Sequence, residues 1–146
     1  MSTHNVFKAL LVEEQDDHTF SKKVVERHIT DLPENDLLID VHYSSLNYKD
    51  AMSASGNKRI SQNFPHTPGI DAAGVVVSDK SGTFSLGEEV LVFGYDLGMN
   101  TPGGLGQKIS IPAKWAVSCP DTLTLKEAMT YGTGGLTAAL CIQKLE

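Results

Sequence analysis

The sequence predicts a mainly β fold, a barrel or sandwich of short strands with short helices, followed by a helical segment near its C-terminal end. Three observations lead to this prediction. Short apolar or alternating runs recur along the first three quarters of the chain. Clusters of turn residues separate them, at 32–36, 81–88 and 101–106. After Pro120 the pattern changes to residues that favour helices.

Six runs carry the strand patterns. They lie at 7–14, 19–29, 36–48, 71–79, 88–98 and 108–120. The third run alternates most regularly, with Leu37 and Ile39 on one predicted face and Asp40 on the other. The fourth run follows a Pro-Gly turn signal at 68–69. Strands of this length and spacing are typical of an all-β domain.

The helical segment has a recognisable start. Thr124 and Glu127 stand three residues apart in a capping-box pattern, which predicts that a helix begins near Leu125. The glycines within 132–135 are expected to interrupt this helix, and helix formers resume over 136–146. No capping residue follows the last helical turn, which we interpret as a chain cut within a longer architecture.

Composition and charge exclude several classes of function. The chain has 146 residues, 40% of them hydrophobic, and a net charge of −6. A negative chain without clustered Lys and Arg is not expected to bind nucleic acid or an anionic membrane surface. No apolar run approaches the roughly 20 residues of a membrane span, and no signal peptide is visible. The two cysteines, Cys119 and Cys141, fit a reducing cytoplasm.

The stretch SSLNYKD at 44–50 gathers polar side chains where the third predicted strand ends. Tyr48 and Asn47 are hydrogen-bond donors suited to steadying negative charge that develops on an oxygen. The alternatives are a tyrosine on the rim for Tyr48 and a turn-forming residue for Asn47. Asp50 could orient its neighbours or relay a proton, or it could be the N-cap of a following helix, which we favour slightly.

Five segments, in this order, resemble one family: LLIDVHYSSLNYKD, FPHTPGIDAAGVVV, GEEVLVFGYDLG, GGLGQKISIPAKWAV and LKEAMTYGTGGLTAALCIQKLE. The family is that of the zinc-independent medium-chain dehydrogenase/reductases, in the branch of quinone oxidoreductases and acryloyl-CoA reductases. The resemblance implies a GroES-like β-domain over 1–122. Residues 123–146 would be the helical start of a truncated nucleotide-binding domain, whose Rossmann fold is absent from this chain.

The same resemblance implies a reaction and a cofactor. It implies an NADPH-dependent reductase of an activated C=C bond, such as an acryloyl-CoA-like enoyl thioester, or of a quinone. Tyr48, Asn47 and Thr133 would lie beside the nicotinamide. Asp50 and Asp71 would join Tyr48 and Asn47 as catalytic residues, although a structural turn explains Asp71 equally well.

We expect no metal site. In the zinc-dependent relatives a Cys stands at the position of Asn47, and a His-Glu pair stands at Ile70-Asp71. An isoleucine cannot bind zinc, and an amide is a poor ligand beside a thiolate. The five histidines show no ligand spacing: His4, His18, His28, His42 and His66.

Two expectations about the whole protein follow. As a reductase, it would act on a small molecule in the cytoplasm and would dimerise through the missing domain, while the 146-residue chain alone would be inactive. The alternative is a stand-alone β-domain that acts as a binding or regulatory module without redox chemistry. The sequence does not distinguish a quinone from an acryloyl thioester as the hydride acceptor.

Overall fold

The computed structural model describes residues 5–145, and it confirms the mainly β prediction. Within this range the strands are β1 (Val6–Glu14), β2 (Phe20–His28), β3 (Leu37–Tyr43), β4 (Asp71–Asp79), β5 (Glu89–Phe93), β6 (Lys108–Ile111) and β7 (Ala116–Ser118). The helices are α1 (Tyr48–Ala54) and α2 (Leu125–Leu145), with 3-10 turns at Ile29–Asp31 and Ala113–Trp115. His4 and Glu146 lie outside the described residues.

The strands form two antiparallel sheets. β1 and β2 form a hairpin, and the other five strands are ordered β6-β3-β4-β5-β7. Neither sheet closes into a barrel over residues 5–145. β4 is the central strand of the larger sheet, with its first residue, Asp71, opposite Phe93 and its last residue, Asp79, opposite Leu37.

The two faces of the larger sheet bury different partners. On one face a core of fully buried aliphatic side chains includes Leu37, Ile39 and Ile109. On the other face, the first half of α2 packs against β4 and β5 through Leu125 and Met129. Side chains alternate along a strand, so Asp71 points to the same face as the buried Ala73, toward α2.

Three predicted strands were too long, and one of them is the run at 88–98, which ends as a strand at Phe93. The run at 36–48 ends as a strand at Tyr43, and its last residue already begins α1. The run at 108–120 is divided into β6 and β7 by Pro112 and a 3-10 turn, because proline has no N–H to donate to a sheet ladder.

The helix predictions are confirmed at both the start and the break of α2. The N–H of Thr124 donates to Glu127 Oε2 at 2.9 Å, and the N–H of Glu127 donates to Thr124 Oγ1 at 3.2 Å. Gly132 leaves the helical conformation, with φ 52° and ψ −160°, and divides α2 in two. No helix in the described range is both long and apolar enough to cross a bilayer.

Candidate active site

A buried carboxylate is the centre of the site. Asp71 opens β4, directly after the turn at 68–70, and its side chain is fully buried. Its Oδ2 accepts hydrogen bonds from Ser45 Oγ, from Asn47 Nδ2 at 3.0 Å and from the N–H of Thr133 at 2.8 Å, and its Oδ1 accepts one from Thr133 Oγ1. Burying a carboxylate is costly unless such bonds replace its water. Asp71 therefore joins two distant segments, at 45–47 and at Thr133, to the start of β4.

A second buried carboxylate lies beside the first. Asp50 is 3% exposed and stands in the first turn of α1. Its Oδ2 accepts the N–H of Asn47 at 2.7 Å, and its Oδ1 accepts the N–H of Ile70 at 2.9 Å. Asp50 thus joins the start of α1 to the turn that delivers Asp71.

The prediction that Asp50 is the N-cap residue of α1 is wrong, although its carboxylate does take part in the capping box. The helix begins at Tyr48, so the N-cap residue is Asn47 and Asp50 occupies the third helical position. The N–H groups of Asp50 and Ala51 already bond to the carbonyl of Asn47. Asn and Asp are both good N-caps, and the path of the chain decides between them.

Asn47 connects the two carboxylates through its side-chain amide. Nδ2 lies 3.0 Å from Asp71 Oδ2 and 3.3 Å from Asp50 Oδ2. It also lies 3.3 Å from Ser45 Oγ. An amide nitrogen placed among acceptors acts as a donor, so this nitrogen holds the site together.

The break in α2 is what brings Thr133 to Asp71. A Cβ atom on Gly132 would lie 2.6 Å from Ser45 Oγ and 2.9 Å from Asp71 Oδ2, so only glycine fits there. Its positive φ also favours glycine. Beyond the break, the Thr133 N–H bonds to Asp71, whose negative charge lies at the N-terminus of the second half of α2.

Tyr48 differs from the rest of the site because it faces solvent. It is the first residue of α1, and its side chain is 82% exposed. It forms no side-chain hydrogen bond with any of residues 5–145, so its hydroxyl is free to donate to a ligand. The structure thus brings Asn47, Asp50, Asp71 and Thr133 into one network and places Tyr48 at its rim.

Sequence reasoning missed two members of the network. Ser45 was not singled out, although it lies in the same polar stretch as Asn47 and donates to Asp71. Gly132 was predicted as a helix break and not as a residue whose missing side chain makes room for Ser45 and Asp71. The first could have been found by treating the whole stretch 44–50 as one site.

The donor set suits the nicotinamide end of a dinucleotide better than a metal ion. Tyr48 offers a free hydroxyl donor, and Thr133 Oγ1, which donates to Asp71, keeps its lone pairs for an amide N–H. Around Asp71, by contrast, the hydrogen bonds come from O–H and N–H groups, including the Asn47 amide N–H, and a nitrogen that donates in this way does not bind a metal ion. Over residues 5–145 no three His, Cys, Asp or Glu side chains cluster as a metal site.

Comparison with known proteins gives consistent matches. The family model described as "Alcohol dehydrogenase GroES-like domain" matches residues 33–121. The "Probable acrylyl-CoA reductase AcuI" of Escherichia coli is 44% identical over 139 residues, which are 95% of this chain and 43% of that protein. The "Putative quinone oxidoreductase YhfP" of Bacillus subtilis is 44% identical over 147 residues, covering 100% of this chain and 43% of that protein.

Solved structures agree with these matches. The crystal structure of Escherichia coli YhdH with bound NADPH superposes with a TM-score of 0.89 at 43% sequence identity. The match covers 94% of this chain and 42% of the crystallised chain. The chain therefore spans about two fifths of the length of the proteins that it resembles.

Proposed function

This chain belongs to the alcohol dehydrogenase GroES-like domain family, among the medium-chain dehydrogenase/reductases, and we propose that it is the N-terminal catalytic domain of an NADPH-dependent reductase. The substrate would carry an activated C=C bond, as in an acryloyl thioester, or would be a quinone. The observation that carries the proposal is the buried network around Asp71, which fixes the break in α2 and the start of α1, where the exposed Tyr48 stands. Relatives named as acrylyl-CoA reductase and quinone oxidoreductase support it.

The division of the chain is part of the proposal. Residues 1–122 would be the GroES-like domain, and residues 123–146 would lead into a Rossmann domain that lies outside this sequence. Leu136, Leu140 and Ile142, on the second half of α2, are about half exposed. We expect them to pack against that domain, which would also carry the dimer contacts of a cytoplasmic enzyme. The chain by itself would then be inactive.

Tyr48 would act on the substrate directly. When bound, NADPH would supply a hydride to the β-carbon, and negative charge would then develop on the carbonyl or quinone oxygen. Tyr48 would donate a hydrogen bond to that oxygen, at the solvent-exposed rim where its hydroxyl can exchange protons with water. The Thr133 side chain would accept a hydrogen bond from the carboxamide of the cofactor.

The two carboxylates would act through their neighbours. Asp50 fixes the first turn of α1, from which Tyr48 projects, by accepting the N–H groups of Asn47 and Ile70. Asp71 holds Asn47 and Thr133 at fixed positions relative to each other. Rigid support of this kind keeps reacting groups aligned. The Asn47 amide, which donates to both carboxylates, favours chemistry without zinc.

The experiment is a Tyr48→Phe substitution in the full-length protein, assayed with NADPH and either an acryloyl thioester or a quinone. Loss of one donor at a developing oxyanion should lower kcat about 100-fold. Tyr95→Phe is the matched control, since Tyr95 is also exposed but its ring stacks on Trp115 and takes no part in the network around Asp71.

Two results would contradict the proposal. Near-normal turnover by Tyr48→Phe would remove Tyr48 from the mechanism. NADPH binding without reduction of any alkene or quinone by the wild-type protein would favour a binding module instead.

A further inference from the structure

A buried histidine lies just before the turn that leads into β4, and the proposed chemistry does not use it. His66 is 4% exposed. Its backbone N–H donates to the carbonyl of Val12 in β1 at 2.9 Å, and its own carbonyl accepts the N–H of Val12 at 2.8 Å. Its ring packs edge-on against the ring of Phe64. The backbone of His66 is therefore fixed to β1, and its ring lies in the interior.

The ring of His66 contacts a loop that is distant in sequence. Its Nε2 lies 2.9 Å from the carbonyl oxygen of Gly98. Because a carbonyl oxygen can only accept, Nε2 carries the proton, and Nδ1 of the neutral ring carries none. No group within residues 5–145 forms a hydrogen bond with Nδ1. The neutral ring therefore makes one directed contact, to Gly98 in the segment 96–104, which we call the supporting loop.

The supporting loop lies directly on the turn at 68–70. A Cβ atom on Gly98 would lie 2.4 Å from the carbonyl oxygen of Gly69, and one on Gly103 would lie 2.3 Å from the same atom. The N–H of Gly104 donates to that oxygen at 2.9 Å. The two backbones are in contact with no side chain between them, so a shift of the supporting loop displaces the turn.

The turn in its place positions both buried carboxylates. The N–H of Ile70 donates to Asp50 Oδ1 at 2.9 Å. The next residue, Asp71, is the centre of the buried network. His66, the supporting loop and the turn thus form a continuous series of contacts that ends at the candidate active site.

A charge on the His66 ring would be costly in this position. Burial lowers the pKa of His66 below its usual 6.5, and Arg27 on β2 acts in the same direction, whereas the Gly98 carbonyl and Asp96 favour the protonated ring. Asp96 and Arg27 are the charged groups within residues 5–145 that act on the ring. Protonation would also place a second N–H on Nδ1, and a buried donor without an acceptor destabilises the fold. The neutral ring is therefore the form that fits the folded chain.

We propose that His66 is a pH-sensitive positioning residue, whose neutral ring holds the supporting loop on the turn that leads to Asp71 and whose protonated ring does not. The expected effect on turnover rests on the proposed reductase function, while the effect on stability is independent of it.

The direction of the pH dependence follows from the burial of the ring. Because the folded chain takes up this proton less readily than an unfolded chain, the stability that His66 contributes is present above pH 6.5. It is lost as the pH falls from 6.5 through the folded pKa. Turnover should fall over the same range, because the turn no longer fixes the positions of Asp50 and Asp71.

The test uses two substitutions in the full-length protein, measured between about pH 5 and pH 8, the range in which histidine titrates. His66→Gln keeps an N–H donor for Gly98 but takes up no proton, so its kcat and its urea midpoint should depend less on pH than those of the wild type. His66→Leu removes the donor, and its kcat should be about two- to tenfold lower across the whole range, as expected for the loss of one hydrogen bond. His42→Gln is the matched control, because His42 is exposed on β3, and its pH profile should stay that of the wild type.

NMR titration of the His66 ring is a second measurement, and it needs no variant. The ring in the wild-type protein should stay neutral down to a pH below 6.5. A midpoint at or above 6.5 would overturn the proposal, whether or not the variants fold.

The remaining outcomes separate this inference from the proposed function. Equal pH dependence of the urea midpoint in the wild type and in His66→Gln would overturn the inference, as would the same change in His42→Gln. An altered urea profile with an unchanged kcat profile in His66→Gln would overturn the positioning role and leave His66 a structural residue. If the wild-type protein reduces neither an acryloyl thioester nor a quinone with NADPH, the proposed function fails, and the urea midpoints alone then decide whether His66 holds the turn.

Discussion

The two ends of β4 carry the same residue type in opposite surroundings. Asp71, at the first position, is fully buried and is bonded to groups that lie 24 to 62 residues away in sequence. Asp79, at the last position, is bonded within its own turn, to the N–H of Ser81 at 2.7 Å and the N–H of Phe84 at 2.8 Å. The comparison teaches that one carboxylate organises the site and the other organises a loop.

The largest expected difference between the two ends of β4 is in how much Asp71 and Asp79 each contribute to the free energy of unfolding. Asp71→Asn replaces an acceptor with an amide that donates, so at least one of its buried donors loses its partner. We expect the free energy of unfolding to fall by about 2–4 kcal/mol. Urea unfolding of the full-length protein measures this.

Asp79→Asn is the matched control for this substitution. Its side chain bonds to an exposed turn, so the urea midpoint should shift much less than in Asp71→Asn. Equal shifts in the two variants would mean that the buried network contributes no more to stability than a surface turn.

The sequence predicted the turn around Asp79, whose contacts are local, far better than the network around Asp71, whose contacts join distant segments. The turn at 81–88, which Asp79 closes, was predicted from its residue types, and the capping box of Thr124 and Glu127 was confirmed. Both depend on neighbours within five residues. The alternation that buries Leu37 and Ile39 was also readable, because it has the period of a strand.

The contacts of the candidate site could not be read in this way. Asn47 was chosen for its amide in the stretch 44–50, and Asp71 and Thr133 were chosen by resemblance. No sequence pattern indicates that the carboxylate of Asp71 receives bonds from the other two. That arrangement depends on the register of β4 and on the angle of α2 at Gly132. The misassigned cap at Asp50 has a different origin, because Asn47 and Asp50 form a local capping box in which Asn47 is the N-cap and Asp50 the third helical residue.

The break in α2 offers a second comparison, between two glycines of one helix. Gly132→Ala would place a Cβ against Ser45 and Asp71 at a positive φ, and we expect a loss of about 1–3 kcal/mol. The reductase activity that we propose for the full-length protein should fall with it, because Thr133 moves away from Asp71. Thermal unfolding and turnover of the full-length protein measure both effects.

Gly134→Ala should have the opposite effect and raise the free energy of unfolding. A Cβ atom at Gly134 meets nothing within 4 Å, and alanine favours a helix over glycine by roughly 0.5–1 kcal/mol. A stable, active Gly132→Ala variant would show that the break in α2 is not what holds Thr133 in the site.

The smallest expected effect concerns the exposed end of β4. The bonds from Phe84 and Ser81 hold the pKa of Asp79 below its usual 3.8. As the pH falls below 3.8, an unfolded chain takes up this proton before the folded one does, so the stability that Asp79 contributes is lost as the pH passes through its folded pKa.

NMR titration of the Asp79 carboxyl should therefore give a midpoint below 3.8. Ser81→Ala should move that midpoint upward, because it removes the hydroxyl that donates to Asp79. A midpoint at 3.8 in both proteins would show that the turn bonds do not favour the ionised carboxylate, and the contrast with Asp71 would then be one of burial alone.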